Sequence, residues 1–284
     1  MFVINLNEDK TRIQVKTSAE QNSQLIAEGN VAADVPDHTV LILFDQIALL
    51  PSDYQQIDQL LSTVSSYVSA IYHSLICIRF PRTFDNQIPF DKLQYRNECS
   101  DFMSANTDDL KYYPENNFQG RQDQYELVSD RNIILGYAEQ LLQLMTREAF
   151  WSKNWNLQEM SDRINSATNN AMILDKINHI PCAFGRLFLV ESSNEQFGYI
   201  SDIAVDSAQQ SKGLGRVLVN YFVGVVCNSE KLNSTLCLQC AKEGSGAISA
   251  TKLYRRSGFE FFHIHGNRIA IFPKKKVASE QSSA

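Results

Sequence analysis

Between Val205 and Arg216 the chain gathers residues suited to holding a phosphate. An apolar run ends at Val205 and a polar bend follows. Gln210-Ser211-Lys212-Gly213-Leu214-Gly215 then opens a segment whose apolar residues recur at helical spacing. The first amides of a helix have no intrahelical partners, and the macrodipole places partial positive charge there. Two residues without Cβ atoms let a phosphate approach those donors closely. Lys212 and Arg216 add local cations. The spacing is not that of a P-loop, which needs Gly-Lys-Ser/Thr. Nor is it a dinucleotide fingerprint, because Leu218 stands where a third glycine would be required. Taken alone, Gly-x-Gly also reads as a plain tight turn. The strand before it and the helix after it raise the phosphate reading.

Two other chemistries are weighed and set aside. Cys237-Leu238-Gln239-Cys240 is a C-x-x-C followed downstream by His263 and His265. On a strand, positions three apart face opposite sides, and no second tight pair completes a zinc set, so no metal is expected. A Cys-His nucleophile is unsupported too, since the thiols sit in apolar stretches where burial keeps them protonated.

These residues belong to a chain of 284, long enough for two domains, with 26 Lys plus Arg against 32 Asp plus Glu and a net charge of −6. An acidic protein repels nucleic-acid backbones, so no nucleic-acid partner is expected. The start, Met-Phe-Val-Ile-Asn-Leu-Asn, has no basic segment leading into an apolar one. The apolar stretch Val217–Val226 is half of the ~20 residues a bilayer needs. Six cysteines in this length do not make a disulfide scaffold. A reducing, cytoplasmic setting without membrane attachment is the expectation.

The elements that must position the motif alternate in period from residue 121 onward. Strands are predicted at 125–128, 171–174, 183–190, 198–205, 235–239, 259–263 and 269–272. Helices are predicted over 132–150, from 157 to 164 with Asn156 and Glu159 as a capping box, after Gly213, and over 247–256 with Gly258 closing the last. The order gives an α/β (α+β) arrangement with a mixed sheet. Residues 87–124, polar and punctuated by Pro89, Pro114 and Gly120, read as a short helix and a linker with a boundary near 120. From Lys274 the tail reads as frayed. The first third repeats the pattern faintly. Ile47-Ala48-Leu49 followed by Gln55-Gln56 echoes Ile203-Ala204-Val205 followed by Gln209-Gln210, and Lys92–Arg96 echoes Lys252–Arg256. A helical stretch from Ile57 to Ile71 leads to an apolar strand, 75–80. This is either a shortened, diverged copy of the second domain or chance similarity.

Gln210-x-x-Gly213-x-Gly215 resembles the Gln/Arg-x-x-Gly-x-Gly/Ala signature of the GNAT superfamily of N-acetyltransferases. Leu253-Tyr254-Arg255-Arg256-Ser257-Gly258-Phe259 is similar to that family's closing Leu-Tyr-x-x-x-Gly-Phe. Phe150-Trp151, Gly185-Arg186 and Asp202-Ile203-Ala204-Val205 are similar to one GNAT branch. The likeness covers about 121–273, and the whole chain resembles VipF-like bacterial proteins built from two GNAT domains. The resemblance implies a GNAT-type mixed sheet flanked by helices in a catalytic domain at 121–276. Residues 1–120 would be a diverged, non-catalytic copy and 277–284 a flexible tail. Proteins of the VipF type are also secreted into a host cytosol.

The resemblance further implies acetyl-CoA as co-substrate, with its pyrophosphate on the amides of Gln210, Ser211, Lys212, Gly213, Leu214, Gly215 and Arg216. Its pantetheine would lie in a splay between the strands ending near Val205 and Gln239. The backbone of Ile203, Ala204 and Val205 would hold the pantetheine and polarise the thioester. Where the family often has Asn, this chain has Ala247, leaving Ser249 to contact the arm. The acceptor would be an amine on a small molecule or protein, attacking directly in a ternary complex. A lysine-like amine with pKa ~10.4 costs about 4.6 kcal/mol to deprotonate at pH 7. Asp202, next to the expected thioester, is the first candidate to accept that proton; it also reads as an ordinary strand-face acid. Glu191 and Glu195 stand in reserve. Tyr254 matches the family's general acid. With a free pKa near ~10 against ~8.5 for the thiol, full transfer is uphill by roughly 2 kcal/mol unless the site lowers it. Trp151, Trp155, Arg186, Phe197 and Tyr199 are placed by position on the acceptor side. At the place of Gly213-Leu214-Gly215 the first third carries Ile57-Asp58-Gln59, with Asp53 close by, which would block and repel a pyrophosphate. A non-catalytic acyl-CoA-binding or protein-interaction module is the second reading.

Overall fold

The computed structural model describes residues 2–17, 24–34, 39–49, 53–72, 75–79, 101–106, 118, 120–193, 195–229, 233–240, 247–262 and 268–271. The expected resemblance at Lys92–Arg96, the histidines at 263 and 265 and the lysine-rich tail lie outside them.

Strands β1 (Phe2–Leu6), β2 (Arg12–Thr17), β3 (Leu25–Asp34) and β4 (Thr39–Ile47) form an antiparallel meander. Helix α1 (Tyr54–Tyr72) crosses over to β5 (Leu75–Arg79), which pairs parallel with β4. The helix packs Ile57, Leu60, Leu61, Val64 and Val68 onto Ile13, Val15, Val40, Ile42 and Phe44, a two-period match of helical and strand spacing. The expected helix and following strand are here, but the helix begins three residues earlier. Asp53, not Ile57, therefore precedes its first residue, and Ile57 is buried in the core.

The second half begins with β7 (Tyr125–Val128), α2 (Arg131–Gly136) and α3 (Ala138–Glu148). The single helix expected over 132–150 is thus two, broken at Tyr137 (φ −104°, ψ 12°). Helix α4 (Leu157–Ser166) opens with the expected capping box: Asn156 accepts from the Glu159 amide at 3.0 Å and Glu159 from the Asn156 amide at 2.8 Å. Strands β8 (Asn169–Asp175), β9 (Ile180–Glu191) and β10 (Glu195–Val205) run antiparallel. Helix α5 (Leu214–Cys227) then leads to β11 (Asn233–Cys240), parallel to β10. Helix α6 (Ala247–Arg256) and β12 (Glu260–Phe262) follow. The path β8–β9–β10–α5–β11 repeats β2–β3–β4–α1–β5: three antiparallel strands, a helix, a parallel strand.

The halves trade strands. β6 (Asp101–Asn106), inside the segment read as linker, lies between β11 and β12, antiparallel to both. β13 (Arg268–Ile271) joins the first sheet, parallel to β5. The sheets therefore read β1-β2-β3-β4-β5-β13 and β12-β6-β11-β10-β9-β8-β7. The expected boundary near residue 120 separates β6 from the sheet it completes.

One face of the second sheet is covered by α5 and α6, through Leu218, Phe222, Leu236, Leu238 and Tyr254. The other face is divided. Helices α2–α4 cover Met172 and Phe184, while Phe188, Val190, Phe197, Tyr199 and Cys237 pack against Leu41 and Leu43 of β4. Phe197 and Tyr199, expected at the acceptor side, are therefore buried between the halves. Cys237 and Cys240 fall on opposite faces, Cys240 with α5 and α6. No helix among the described residues is long and apolar enough to cross a membrane.

Candidate active site

The segment after β10 is held from two sides. Asp206 accepts from the Ala208 amide at 2.9 Å and donates its own amide to Cys182 O at 2.9 Å, which starts a short 3-10 turn, Ser207–Gln209. Arg147 of α3 pairs with Asp206 Oδ2 at 2.9 Å. On the other side Gln209 Oε1 accepts from Tyr125 Oη at 2.8 Å and from Lys212 Nζ at 2.5 Å, and Arg121 donates to Lys212 O at 3.3 Å. Tyr125, Gln209, Arg121 and Arg147 were not marked by the sequence, because contacts across so many residues leave no local pattern.

The chain then turns through two left-handed residues, Ser211 (φ 63°) and Gly213 (φ 83°), the latter as N-cap of α5. No side chain caps this helix end. Its first amides thus keep their hydrogen-bonding capacity and the positive end of the dipole. At Gly215 a Cβ would sit 3.2 Å from Leu253 Cδ2 and 3.5 Å from Val205 Cγ2, so α6 and β10 close in where glycine stands. Lys212 is half-buried, and Gln210 and Arg216 are exposed. The segment expected as a cradle, 210–216, thus presents an uncapped helix start with Lys212 and Arg216 beside it.

Beside it, among the described residues, β10 and β11 pair from Glu195↔Asn233 to Ile200↔Leu238, and the strands run on to Val205 and Cys240. On its other edge β10 slips register between Ser201↔Arg186 and Ala204↔Phe184, an extra residue that bulges the strand. Asp202 lies in the bulge with φ 56°, in the left-handed region. Gly185 lies opposite. A Cβ there would meet Ile203 Cδ1 at 2.5 Å, so the bulged isoleucine fills the space a side chain would take. Ile203, Ala204 and Val205 follow the bulge and lead into the segment 206–213, and the Val205 carbonyl accepts from Gln210 Nε2 at 3.4 Å.

Tyr254 stands on α6, which meets the end of β11 where Thr251 Oγ1 lies 3.4 Å from Cys240 Sγ. The helix ends in a Schellman motif. Phe259 N donates to Tyr254 O at 3.0 Å, Gly258 N donates to Arg255 O at 3.1 Å, and Gly258 takes φ 99°. The rings of Tyr254 and Phe259 meet edge-on, centroids 6.2 Å apart. The closing sequence motif is therefore one device: Gly-Phe caps the helix and fixes the tyrosine. Tyr254 is buried, and burial first, then the neighbouring Cys240 thiol, pushes its phenol well above the ordinary tyrosine range. A site that lowers it is not what the chain builds. No hydrogen bond to its hydroxyl is seen among the described residues.

Asp202 is not free to act as the expected proton acceptor. Its Oδ2 takes Arg186 Nε at 2.7 Å and Nη2 at 2.5 Å, with Arg163 Nη1 at 3.9 Å, and its Oδ1 takes Trp151 Nε1 at 3.2 Å. Arg186 is fully buried and also donates to Arg163 O at 2.9 Å. Arg163 stacks 3.7 Å over the Trp155 ring. Trp151 and Arg186 thus meet at Asp202, and Trp155 joins them through Arg163, which the sequence did not mark. Glu191 lies at the far end of β9, bonded to Gln196, with its carbonyl accepting from Asn30 at 2.7 Å. From Gln196 to Asp202 is six residues of strand, about 20 Å, which takes Glu191 away from the bulge. Glu195, at the same end, is equally remote. Ser249 is exposed on the first turn of α6.

Residues 136–259 match the family model described as the acetyltransferase (GNAT) family. The matched span, less than half of the chain, takes in the β10 bulge, the segment 210–216 and the capped Leu-Tyr-x-x-x-Gly-Phe. Comparison of the sequence with curated proteins gave no match. Among solved structures, this chain is similar to a GCN5-related N-acetyltransferase from Sphaerobacter thermophilus (12% identity, 92% of this chain, 82% of that one, TM-score 0.40). It is also similar to a tandem GNAT protein from the clavulanic acid biosynthesis pathway (10% identity, 88% and 78%, TM-score 0.41). A third is a possible acetyltransferase from Clostridium difficile 630 (17% identity, 45% and 88%, TM-score 0.37).

Proposed function

We propose that the second half of the chain is an N-acetyltransferase that passes an acetyl group from acetyl-CoA to an amine in a ternary complex. The observation that supports this best is the bulge near the end of β10 followed by the uncapped start of α5. Acetyl-CoA, when bound, supplies an acyl thioester whose C–S bond breaks as a C–N bond to the amine forms. The amides of 210–216, with Lys212 and Arg216, hold the diphosphate. Ser249 on the first turn of α6 lies where it could meet the pantetheine arm. The backbone at Ile203–Val205 holds the acyl arm and donates to the developing oxyanion. With its phenol kept protonated, Tyr254 donates a hydrogen bond to the departing sulfur. Complete handover of that proton is disfavoured, and water reprotonates the thiolate. Among the described residues no carboxylate beside the bulge is open, so the ammonium gives one proton to solvent before attack, and the nitrogen gives a second to water as the C–S bond breaks, matching the proton that water returns to the thiolate. The first half serves as a platform, since β4 supports β9 and β10 and β6 extends the sheet beyond β11.

The same lack of an open carboxylate favours a second reading, an acyl-CoA-binding module without turnover. Two measurements separate them. A ligand at 100 times its dissociation constant adds ~2.7 kcal/mol of stability, so acetyl-CoA should raise the melting temperature. Free thiol released in the presence of a panel of amines, with products identified by mass spectrometry, then reports transfer. Binding without thiol release from any amine favours the module, and absence of binding defeats both.

A further inference from the structure

The bulge needs something to keep it. Asp202 is an L-residue with a β-carbon at φ 56°, a conformation that asparagine, aspartate and glycine enter far more readily than other residues. Its neighbours on β10 pair normally up to Ser201 and again from Ala204. The extra residue could relax if nothing held it. What holds it is the carboxylate: three donors from two elements, Arg186 on β9 and Trp151 in the turn after α3, meet it within 2.5–3.2 Å, and Arg163 on α4 closes the shell at 3.9 Å. Arg186 has no solvent exposure, and Asp202 is buried as well. A buried charge pair of this geometry is strongly tied, because parting it would strand a charge away from water. Ile203, the next residue, is fitted over Gly185. The path of the backbone from Ile203 to Val205 is therefore pinned at one end by the Asp202 clamp.

We infer that Asp202 is a positioning residue, whose carboxylate, gripped by Arg186 and Trp151, sets the β10 bulge and so aims the Ile203–Val205 edge at the acyl group. This rests on the acetyl-transfer reading for its purpose, but the clamp itself is a property of the chain alone. It also joins the end of β10 to the α3–α4 segment, on which Trp151 and Arg163 stand.

The test compares Asp202→Asn, Asp202→Gly and Asp202→Ala in the full chain. Asparagine keeps both an acceptor and tolerance of positive φ. Glycine keeps the tolerance and loses the acceptor, and alanine loses both. Three readouts are taken: near-ultraviolet circular dichroism of the tryptophan bands without acetyl-CoA, the acetyl-CoA dissociation constant, and kcat with its pH profile. The clamp predicts a graded loss: Asp202→Asn, which keeps one acceptor for Arg186 but not the charge, weakens acetyl-CoA binding less than Asp202→Gly does and keeps the shape of the pH profile. Asp202→Ala should lose the Trp151 signature, bind acetyl-CoA at least tenfold more weakly and lose at least tenfold in kcat, with Asp202→Gly between. If alanine does not fold, glycine and asparagine still decide. Asparagine as inactive as glycine, with one limb of the pH profile gone, would make Asp202 the proton acceptor and overturn the clamp. Unchanged bands and binding in both glycine and alanine would overturn it as well. A wild type that binds no acetyl-CoA defeats the acetyl-transfer reading instead, while the tryptophan bands still report on the clamp.

Discussion

The amide of Phe259 donates to the carbonyl of Tyr254 at 3.0 Å while their rings meet edge-on at 6.2 Å. A capping bond and an aromatic contact thus act on the same pair, and between them Gly258 at φ 99° makes the turn possible. Replacing Gly258 with alanine forces a Cβ into the left-handed region at about 1–2 kcal/mol. Urea unfolding should show a loss of that size, with turnover falling as the phenol shifts. Full stability in Gly258→Ala would mean that the cap does not hold the helix end.

Tyr254→Phe removes the hydroxyl and keeps the ring against Phe259. Turnover should fall tenfold or more at saturating substrate, with acetyl-CoA affinity within about threefold. Equal turnover would take the phenol out of the reaction.

Gly213→Ala tests the cradle. At φ 83° alanine is strained by about 1–2 kcal/mol. Relief of that strain turns the first amides of α5 away. Calorimetry should show acetyl-CoA binding weakened about tenfold, the equivalent of ~1.4 kcal/mol. Unaltered affinity would place the diphosphate elsewhere.

Cys182 gives a pH test of the fold. Burial, then the nearby Asp175 carboxylate, pushes its thiol from 9.0 up to about 11. Above pH 9 the unfolded chain gives up this proton while the folded chain keeps it, so unfolding releases a proton and rising pH favours it. Stability is whole below pH 9 and declines toward pH 11. Urea midpoints across that window should fall more steeply for wild type than for Cys182→Ala; parallel curves would count against it.

A fragment of residues 121–284 lacks β6 and leaves β11 and β12 without the strand between them. It should be poorly soluble, or melt well below the full chain without a cooperative transition. A cooperative melt at the full-chain temperature would show that β6 is dispensable.

From Tyr125 to Phe262 most elements were legible in the sequence, because each carries a clear period and several carry end signals such as Asn156 with Glu159 or Gly258. The break at Tyr137 was not, since apolar spacing continues across it and only the backbone departs from helix. β1 to β3 escaped because their short runs mix Asn, Glu and Lys with apolar residues, and half of each strand faces outward. β6 reads as linker by composition, and it is a strand because β11 and β12 offer it edges. In the candidate site, the glycine turn before α5 and the Gly-Phe cap of α6 lie in contiguous motifs and were legible. The pairing of Asp202 with Arg186 depends on a register slip between strands, which no spacing in one strand reveals.

The exchanged strands have a consequence for how the protein is made. The first sheet is finished by β13, so the free side of β5 must wait for residues 268–271 to leave the ribosome. At ordinary elongation speeds that delay is roughly 10–40 s. Throughout it the nascent chain carries an uncovered, sticky ribbon, and chaperones rather than its own later residues must keep it from neighbouring polypeptides.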